Sequence, residues 1–216
     1  IVDAFQARDL RCYGPSAQAA RLEGSKAFSK AFMARHQIPT ATYATFTQLD
    51  EALAYVRQID HRVVVKASGL AGGKGVLLPE TPAQTEAAVR TVMEGRAFGA
   101  AGDEVVIEEH LFGQEASILA FSDGRTIVPC IAAQDHKRAL DGDQGLNTGG
   151  MGAYAPAPVV TDAMRDEIIR TVLEPTVEGM RNEDCSFVGT LFVGLMITDS
   201  GVKVLEYNVR FGDPET

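Results

Sequence analysis

The sequence lacks what several protein classes require. No stretch approaches the roughly 20 consecutive apolar residues that cross a bilayer, and the first residues carry no secretory-leader pattern, so no membrane role is expected. Cysteine is scarce. Cys12, Cys130 and Cys185 are an odd number without metal-ligand spacing, which predicts buried or inert reduced thiols in a cytoplasmic protein and argues against a disulfide framework. Positive charge is also in deficit: 20 Lys and Arg against 29 Asp and Glu give a net charge of −9. The basic residues are scattered, so the field repels phosphate backbones and anionic lipid, and no nucleic acid is expected as a partner. Internal repeats and low-complexity tracts are absent, which excludes a repeat array.

What remains is a chain of 216 residues, 45% apolar, long enough to bury a core as one domain or one domain plus a lid. Helical and strand periods alternate throughout, which predicts a mixed α/β protein. Residues 16–23 are helical in composition, and a second helix is expected from Lys26 to His36, with Ala27, Phe28, Ala31 and Phe32 apolar and a stop before Pro39. A strand at 40–47, a helix at 48–59, a strand at 62–67, a glycine loop at 68–75, a strand at 76–78 and a helix at 82–94 make a compact unit of their own. The strand 104–109, a hairpin turning at Ser122-Asp123-Gly124 and an irregular stretch at 134–160 come next; so long a loop is usually functional or disordered. A helix at 162–179 bent at Pro175 leads to a last hairpin, 187–198 and 202–209. Both ends read as cut from something longer, the first within an apolar element and the second just after a Gly-Asp-Pro turn.

Four features carry chemistry. The loop Gly69–Val76, GLAGGKGV, has the glycines to aim several amides at one anion, with Lys74 adding charge. A Walker A reading fails, because Ser68 stands where that motif needs glycine, Gly75 where it needs Ser or Thr, and a strand follows where it needs a helix. Lys66 closes the apolar strand RVVVKA and must reach a cavity or water; alone, it could equally snorkel to solvent. Glu108 and Glu109 end another strand, with Glu115 seven residues after Glu108. Such carboxylates can accept from ribose hydroxyls, or form a solvated strand end. In the last strand, VKVLEYNVR, strict alternation puts Val204, Glu206, Asn208 and Arg210 on one side and Lys203, Leu205, Tyr207 and Val209 on the other. A carboxylate and a carboxamide two positions apart, about 6–7 Å along a strand, offer hard oxygen ligands to Mg²⁺; the alternative is a polar edge strand.

In order and spacing these pieces resemble the ATP-grasp superfamily, and the segments LEGSKAF, KASGLAGGKGV, QDHKR, NTGGMGAYAPAP and RFGDPET are similar to the phosphoribosylamine–glycine ligase family along essentially the whole chain. Gly72 departs from the alanine expected there. The resemblance implies an α/β (α+β) ATP-grasp fold, an antiparallel-sheet core with a small α/β lid. Residues 1–14 would be the tail of a missing N-terminal domain, 15–43 and 113–216 the core, and 44–112 the lid, with a further part after Thr216. It implies ATP and Mg²⁺ or Mn²⁺ as cofactors, with glycine and 5-phosphoribosylamine as substrates. Lys26, Lys66 and Lys74 with Gly69, Gly72, Gly73 and Gly75 would hold the phosphates. Glu108 would belong to the acidic hinge of the nucleotide site, the main chain around Glu109–Leu111 would hold adenine, Glu115 the ribose, Glu206 and Asn208 the metal, and Arg210 would face the acyl phosphate, all in one cleft. Asp135, His136, Lys137, Arg138, Asn147, Gly149, Gly150, Met151 and Asp213 would shape the glycine and phosphoribosylamine sites. Lys66 and Arg210 are the catalytic candidates. The other readings are a different ATP-grasp ligase or a carboxylase, and a nucleotide-binding module without catalysis.

Overall fold

A computed structural model of the chain describes residues 1–95, 97–136, 138–141, 144–148 and 150–216. From the N-terminus come α1 (Val2–Gln6), α2 (Arg21–Gly24), α3 (Lys26–Arg35), β1 (Tyr43–Phe46), α4 (Leu49–Val56), β2 (Val63–Ala67), β3 (Val76–Leu77) and α5 (Pro82–Met93). The middle of the chain is β4 (Val105–Glu109), β5 (Gln114–Asp123), β6 (Ile127–Pro129), β7 (Gln134–Asp135), β8 (Arg138–Leu140), β9 (Gln144–Asn147) and β10 (Ala153–Tyr154). Then α6 (Asp162–Ile168), a π-helical turn (Ile169–Leu173), α7 (Glu174–Asn182), β11 (Val188–Thr198) and β12 (Gly201–Asn208) follow. Contacts divide the chain into two compact units, Ile1–Leu22 with Phe32–Thr40 and Phe112–Thr216, and Glu23–Ala31 with Ala41–Leu111.

The second unit is built on a four-stranded antiparallel sheet in the order β1-β4-β2-β3. Alternation gives each strand two faces. One face, with Val63, Val65, Ala67, Val105 and Ile107, joins Ala52, Leu53 and Val56 of α4 and Ala88, Val89 and Val92 of α5 in a single apolar cluster. Burial of this kind contributes about 25 cal/mol per Å² and holds the two helices on the sheet. The start of α5 is set by Thr81, whose side chain accepts from the Gln84 N–H, with Pro82 in the first turn. The opposite face is different. Register pairs Tyr43 with Glu108 and Lys66 with Val106, so Tyr43, Glu108 and Lys66 stand on the same side of three adjacent strands.

The first unit has an antiparallel sheet in the order β12-β11-β5-β6. Its hairpin turns fit their sequences: Asp123 Oδ1 accepts from the Arg125 and Thr126 N–H groups at 2.8 and 2.7 Å while Gly124 takes φ +91. Gly113, just before β5, lies so close to β11 that a Cβ would sit 2.1 Å from the Ile197 carbonyl oxygen. A backbone atom cannot turn aside as a side chain can, so Gly113→Ala should lose about 1–3 kcal/mol, as overpacking does. A thermal melt unchanged from the parent would contradict this.

Four parts of the chain differ from the sequence reading, one of them the stretch 134–160, expected to be irregular, whose described residues include the short strands β7, β8, β9 and β10. The expected helix at 16–23 shrinks to α2, Arg21–Gly24. The expected bend at Pro175 takes the form of the π-helical turn one turn earlier, ahead of a proline that cannot donate to the carbonyl four residues back. Most usefully, the strict alternation of the last strand fails. Gly194 pairs with Glu206 but Leu195 pairs with Val204, so Leu205 is an extra residue, a β-bulge. Val202, Val204 and Tyr207 are therefore the buried residues, while Glu206 is exposed and does not share the side of Val204. Glu206 and Asn208, both beyond the bulge, stay two residues apart with buried Tyr207 between them. The Tyr207 hydroxyl lies 2.7 Å from Thr176 Oγ1, which ties β12 to α7.

Candidate functional site

In the second unit the site is built where α3 meets the strand end of β2. Ser25 Oγ accepts from the Phe28 N–H at 3.1 Å, capping the helix. The Lys26 N–H donates to the Ser68 carbonyl at 2.8 Å and the Ala27 N–H to Ser68 Oγ at 3.2 Å. The Lys26 ammonium then reaches the Ala67 and Gly69 carbonyls at 3.0 and 3.2 Å. Two of its three donors thus fix the entry of the glycine loop.

The loop itself is shaped by close approaches. Its Gly69 N–H donates to the Ala101 carbonyl at 3.1 Å, the Lys74 N–H to the Ala71 carbonyl at 3.1 Å, and Gly75 gives its carbonyl to the Ala67 N–H at 2.8 Å. Gly72 and Gly73 take φ +57 and +77, the left-handed region where glycine is at no steric disadvantage. A glycine at 72 therefore suits this backbone without strain. Of the loop amides expected to cradle an anion, those of Gly69 and Lys74 already have carbonyl partners. Leu70 and Lys74 are exposed at the tip of the loop.

Behind the loop lies a charged cluster on the face opposite the apolar one. Glu108 is held by two lysines: Lys30 Nζ is 2.9 Å from Oε2 and Lys66 Nζ is 2.9 Å from Oε1. All three residues are buried, with 2%, 2% and 6% of Lys30, Glu108 and Lys66 exposed. Lys30 Nζ also stands 5.9 Å from the centre of the Tyr43 ring. Burial alone would raise the Glu108 carboxyl, but Lys66 and Lys30 outweigh it and hold it below the usual carboxylate range. Burial lowers Lys30 most, Lys66 adds to this, and Glu108 resists, which brings its ammonium down to about 8.

This arrangement corrects two expectations. Lys66 neither snorkels to solvent nor stands in an open cavity, because the diagonal neighbour on β4 is a carboxylate within reach of its long side chain. Glu108 does not offer its carboxylate to a nucleotide, since both oxygens face lysines. Lys30 was missed entirely. It lies one helical turn after Lys26, on the same helix face, and that i, i+4 spacing was the available signal.

Glu109, at the end of β4, is likewise occupied: its Oε1 accepts from the Thr42 N–H and its own N–H donates to the Thr42 carbonyl, both at 3.0 Å. The His110 N–H goes to the Arg62 carbonyl at 3.0 Å, and burial followed by the Arg62 charge keeps the imidazole pKa below its ordinary value. Leu111, half-buried, ends the unit.

In the first unit Glu115 sits half-buried near the start of β5, opposite Met196 of β11. Glu206 is exposed near the end of β12; Arg210, just past it, reaches Asn208 Oδ1 at 3.4 Å and the Phe211 carbonyl at 2.9 Å. The pair Glu206 and Asn208 supplies hard oxygen donors on the solvent-facing side of β12, the donor chemistry that Mg²⁺ selects. No group of three or more His, Cys, Asp or Glu suited to a metal occurs among the described residues, so an ion here would need further oxygen ligands from elsewhere.

Further along, the structure gathers several of the candidate substrate residues. Asp135 pairs with Ala153, the His136 N–H donates to Gly152, and the Met151 N–H donates to His136. The His136 and Tyr154 rings are 5.4 Å apart, and Tyr154 OH donates to Gln134 Oε1 at 2.5 Å. Gly150 packs so closely on Pro214 that a Cβ would meet its Cδ at 2.7 Å, with Asp135 Oδ2 at 3.7 Å, which brings the Asp213-Pro214 turn to the same cluster. Arg138 and Asn147 are paired across β8 and β9. Lys137 and Gly149 lie outside the described residues.

Over residues 24–216 the sequence matches the family described as phosphoribosylglycinamide synthetase, ATP-grasp (A) domain. A curated phosphoribosylamine–glycine ligase from Xanthomonas axonopodis pv. citri (strain 306) is 57% identical over 100% of this chain and 50% of its own length. Among solved structures, the phosphoribosylamine–glycine ligase of Thermotoga maritima matches with a TM-score of 0.84 at 37% identity, over 94% of this chain and 51% of that one. The biotin carboxylase domain of Hydrogenobacter thermophilus 2-oxoglutarate carboxylase, solved with MgADP, matches in fold alone, with a TM-score of 0.79 at 16% identity over 99% of this chain and 45% of that one. The chain spans about half the length of the curated relatives it matches.

Proposed function

We propose, from the premise that the chain belongs to the phosphoribosylglycinamide synthetase ATP-grasp (A) domain family, that it is the nucleotide-binding part of a ligase joining glycine to 5-phosphoribosylamine. The products are glycinamide ribonucleotide, ADP and phosphate, a step of purine biosynthesis. The observation that carries the nucleotide reading is the buried cluster of Lys30, Lys66 and Glu108 beside a glycine loop, two lysines brought together in a chain of net charge −9.

The chemistry explains why lysines beside such a loop are useful. A glycine carboxylate oxygen attacks the γ-phosphorus of ATP, the bond to the β-phosphate bridging oxygen breaks, and ADP departs. The ribosylamine nitrogen then attacks the carbonyl carbon of glycyl phosphate, expels phosphate and loses a proton. In the first step an anion approaches an anion, so the protein's task is positioning and neutralisation. Lys66 supplies charge at the phosphates, and Lys26 fixes the loop whose amides and exposed Lys74 fold over them. Leu111 offers backbone to the adenine edge, since the Glu109 and His110 amides are engaged, and Glu115 takes the ribose. Glu206 and Asn208 would hold Mg²⁺, or Mn²⁺, which when bound adds neutralising charge at the phosphate oxygens. Arg210 faces the acyl phosphate, and the cluster of Asp135, His136, Gly150, Met151 and Asp213 shapes the sites for glycine and phosphoribosylamine. Closure of the glycine loop keeps water from the acyl phosphate.

The test is ADP release with glycine and phosphoribosylamine, measured on this chain and on the full-length enzyme that contains it. Glycine- and amine-dependent ADP release by the full-length enzyme, with nucleotide binding but little ligation by the 216-residue chain, is the expected result. ADP release that ignores both substrates, or follows bicarbonate instead, would replace this reading with that of another ATP-grasp enzyme. Nucleotide binding with no turnover in the full-length enzyme would leave a non-catalytic module.

A further inference from the structure

We propose that Ala101 and Gly102 are positioning residues for the nucleotide: the turn they belong to is a rigid spacer that carries the place of α5 to the entry of the glycine loop, and so sets where the loop meets the phosphates. This deepens the nucleotide-binding reading, on which it rests, by naming what holds the loop in place.

The short 3₁₀ turn Gly99–Gly102 follows α5 and precedes β4. On one side buried Gly102 touches α5, where a Cβ would stand 2.2 Å from the Val92 carbonyl oxygen. On the other side Ala101 touches the loop: the Gly69 N–H donates to the Ala101 carbonyl at 3.1 Å, and a Cβ on Gly69 would stand 2.7 Å from the Ala101 Cα and 2.9 Å from its Cβ. One residue earlier, the Ser68 N–H donates to the Glu104 carbonyl at 2.9 Å. Neither Gly69 nor Gly102 has the positive φ that itself favours glycine. Lack of room is therefore what glycine answers at both, and backbone packed on backbone transmits a displacement where a side chain would turn aside.

The tip of the loop has no such support. A Cβ on Gly72 or Gly73 would meet nothing within 4 Å, and Leu70 and Lys74 are exposed. The tip therefore takes its place from the entry, and so does Lys26, whose ammonium reaches the Ala67 and Gly69 carbonyls. A methyl group at 102 must retreat by at least about 1 Å from the Val92 oxygen to reach an ordinary contact, and the turn, moving with it, shifts Gly69 against a triphosphate. A misplacement of about 1 Å far from the chemistry costs about 10²-fold in rate.

The experiment compares the full-length enzyme that contains this chain with its Gly102→Ala, Ala101→Gly and Leu53→Ala variants, each assayed well below its melting temperature. The readings are kcat and the KM for glycine in ADP release, and hydrogen exchange of the Gly69 amide in the nucleotide-free protein. Gly102→Ala should lose about 10²-fold in kcat, keep the parent's KM for glycine and exchange the Gly69 amide faster. Leu53→Ala opens a cavity in the apolar cluster beside α4; it should melt earlier yet keep the parent's kcat and Gly69 exchange. A merely structural Gly102 would make Gly102→Ala behave as Leu53→Ala does. The proposal is overturned if folded Gly102→Ala keeps the parent's kcat, or if it loses kcat while the Gly69 amide exchanges as in the parent. Should Gly102→Ala fail to fold, Ala101→Gly, which removes only the methyl standing against Gly69, decides: a lower kcat with faster Gly69 exchange supports the spacer, and a parental value of either overturns it. A parent that binds no ATP and releases no ADP would instead remove the nucleotide reading itself.

Discussion

Glu108→Ala is expected to lose about 3–5 kcal/mol of folding stability near neutral pH, because it leaves two buried ammonium groups facing each other without their shared carboxylate. The pH dependence follows from the two shifts. Glu108 has its folded carboxyl pKa below the ordinary 4.5, so its stabilisation is complete above 4.5 and is lost as pH falls through the lower folded value. Lys30 has the opposite sense. With a folded pKa of about 8 against 10.5, the folded state binds fewer protons between those values, and its contribution to stability improves as pH rises across that window. Denaturant titrations of the parent should therefore show an acid loss that Glu108→Ala lacks. Lys30→Met should lack the alkaline improvement. A midpoint for Glu108→Ala within about 1 kcal/mol of the parent would mean that the cluster does not hold this side of the sheet.

Glu206→Ala in the full-length enzyme should abolish Mg²⁺-dependent turnover, a loss of at least ~10²–10³, or roughly 3–4 kcal/mol of transition-state stabilisation. The side chain is exposed and sits beyond the bulge, so the substitution should leave the melting temperature of the nucleotide-free protein within about 0.5 kcal/mol of the parent's stability. Loss of turnover with preserved folding separates a metal ligand from a structural residue. Near-normal turnover would reject Glu206 as a ligand and leave Asn208 without a partner for the ion.

The order of elements was legible in the sequence because each long segment had one dominant period. Strands β2, β4 and β11 are runs of β-branched and apolar residues, and α4 and α5 begin beside Gln48 and at the Thr81-Pro82 pair. What escaped was local geometry that no period encodes. The bulge at Leu205 leaves the hydrophobic pattern of β12 looking like plain alternation, and only its pairing with β11 reveals the extra residue. The π-helical turn before Pro175 is one of several ways a helix can absorb a missing N–H, and sequence does not select among them.

The candidate site was half legible for a related reason. Lys66 and the glycine loop stand out because glycine and lysine are unusual at the end of an apolar strand. Glu108 looked like part of an exposed acidic strand end, yet register with β1 and β2 turns it inward onto Lys66. Lys30 disappeared behind the apolar residues Ala27, Phe28, Ala31 and Phe32, which identified the helix but drew attention away from its lysines. Whether a lysine on a mostly apolar helix reaches water or a buried carboxylate depends on the strand packed against it.

The most direct measurement is ATP titrated into the chain by calorimetry, with and without Mg²⁺. Saturable one-to-one binding that tightens when Mg²⁺ is added is the result predicted by the proposed reading, in which lysines and loop amides meet the triphosphate and the ion would add neutralising charge to it. Absence of binding in both conditions would contradict the account at its base, and binding indifferent to Mg²⁺ would contradict the role given to Glu206 and Asn208.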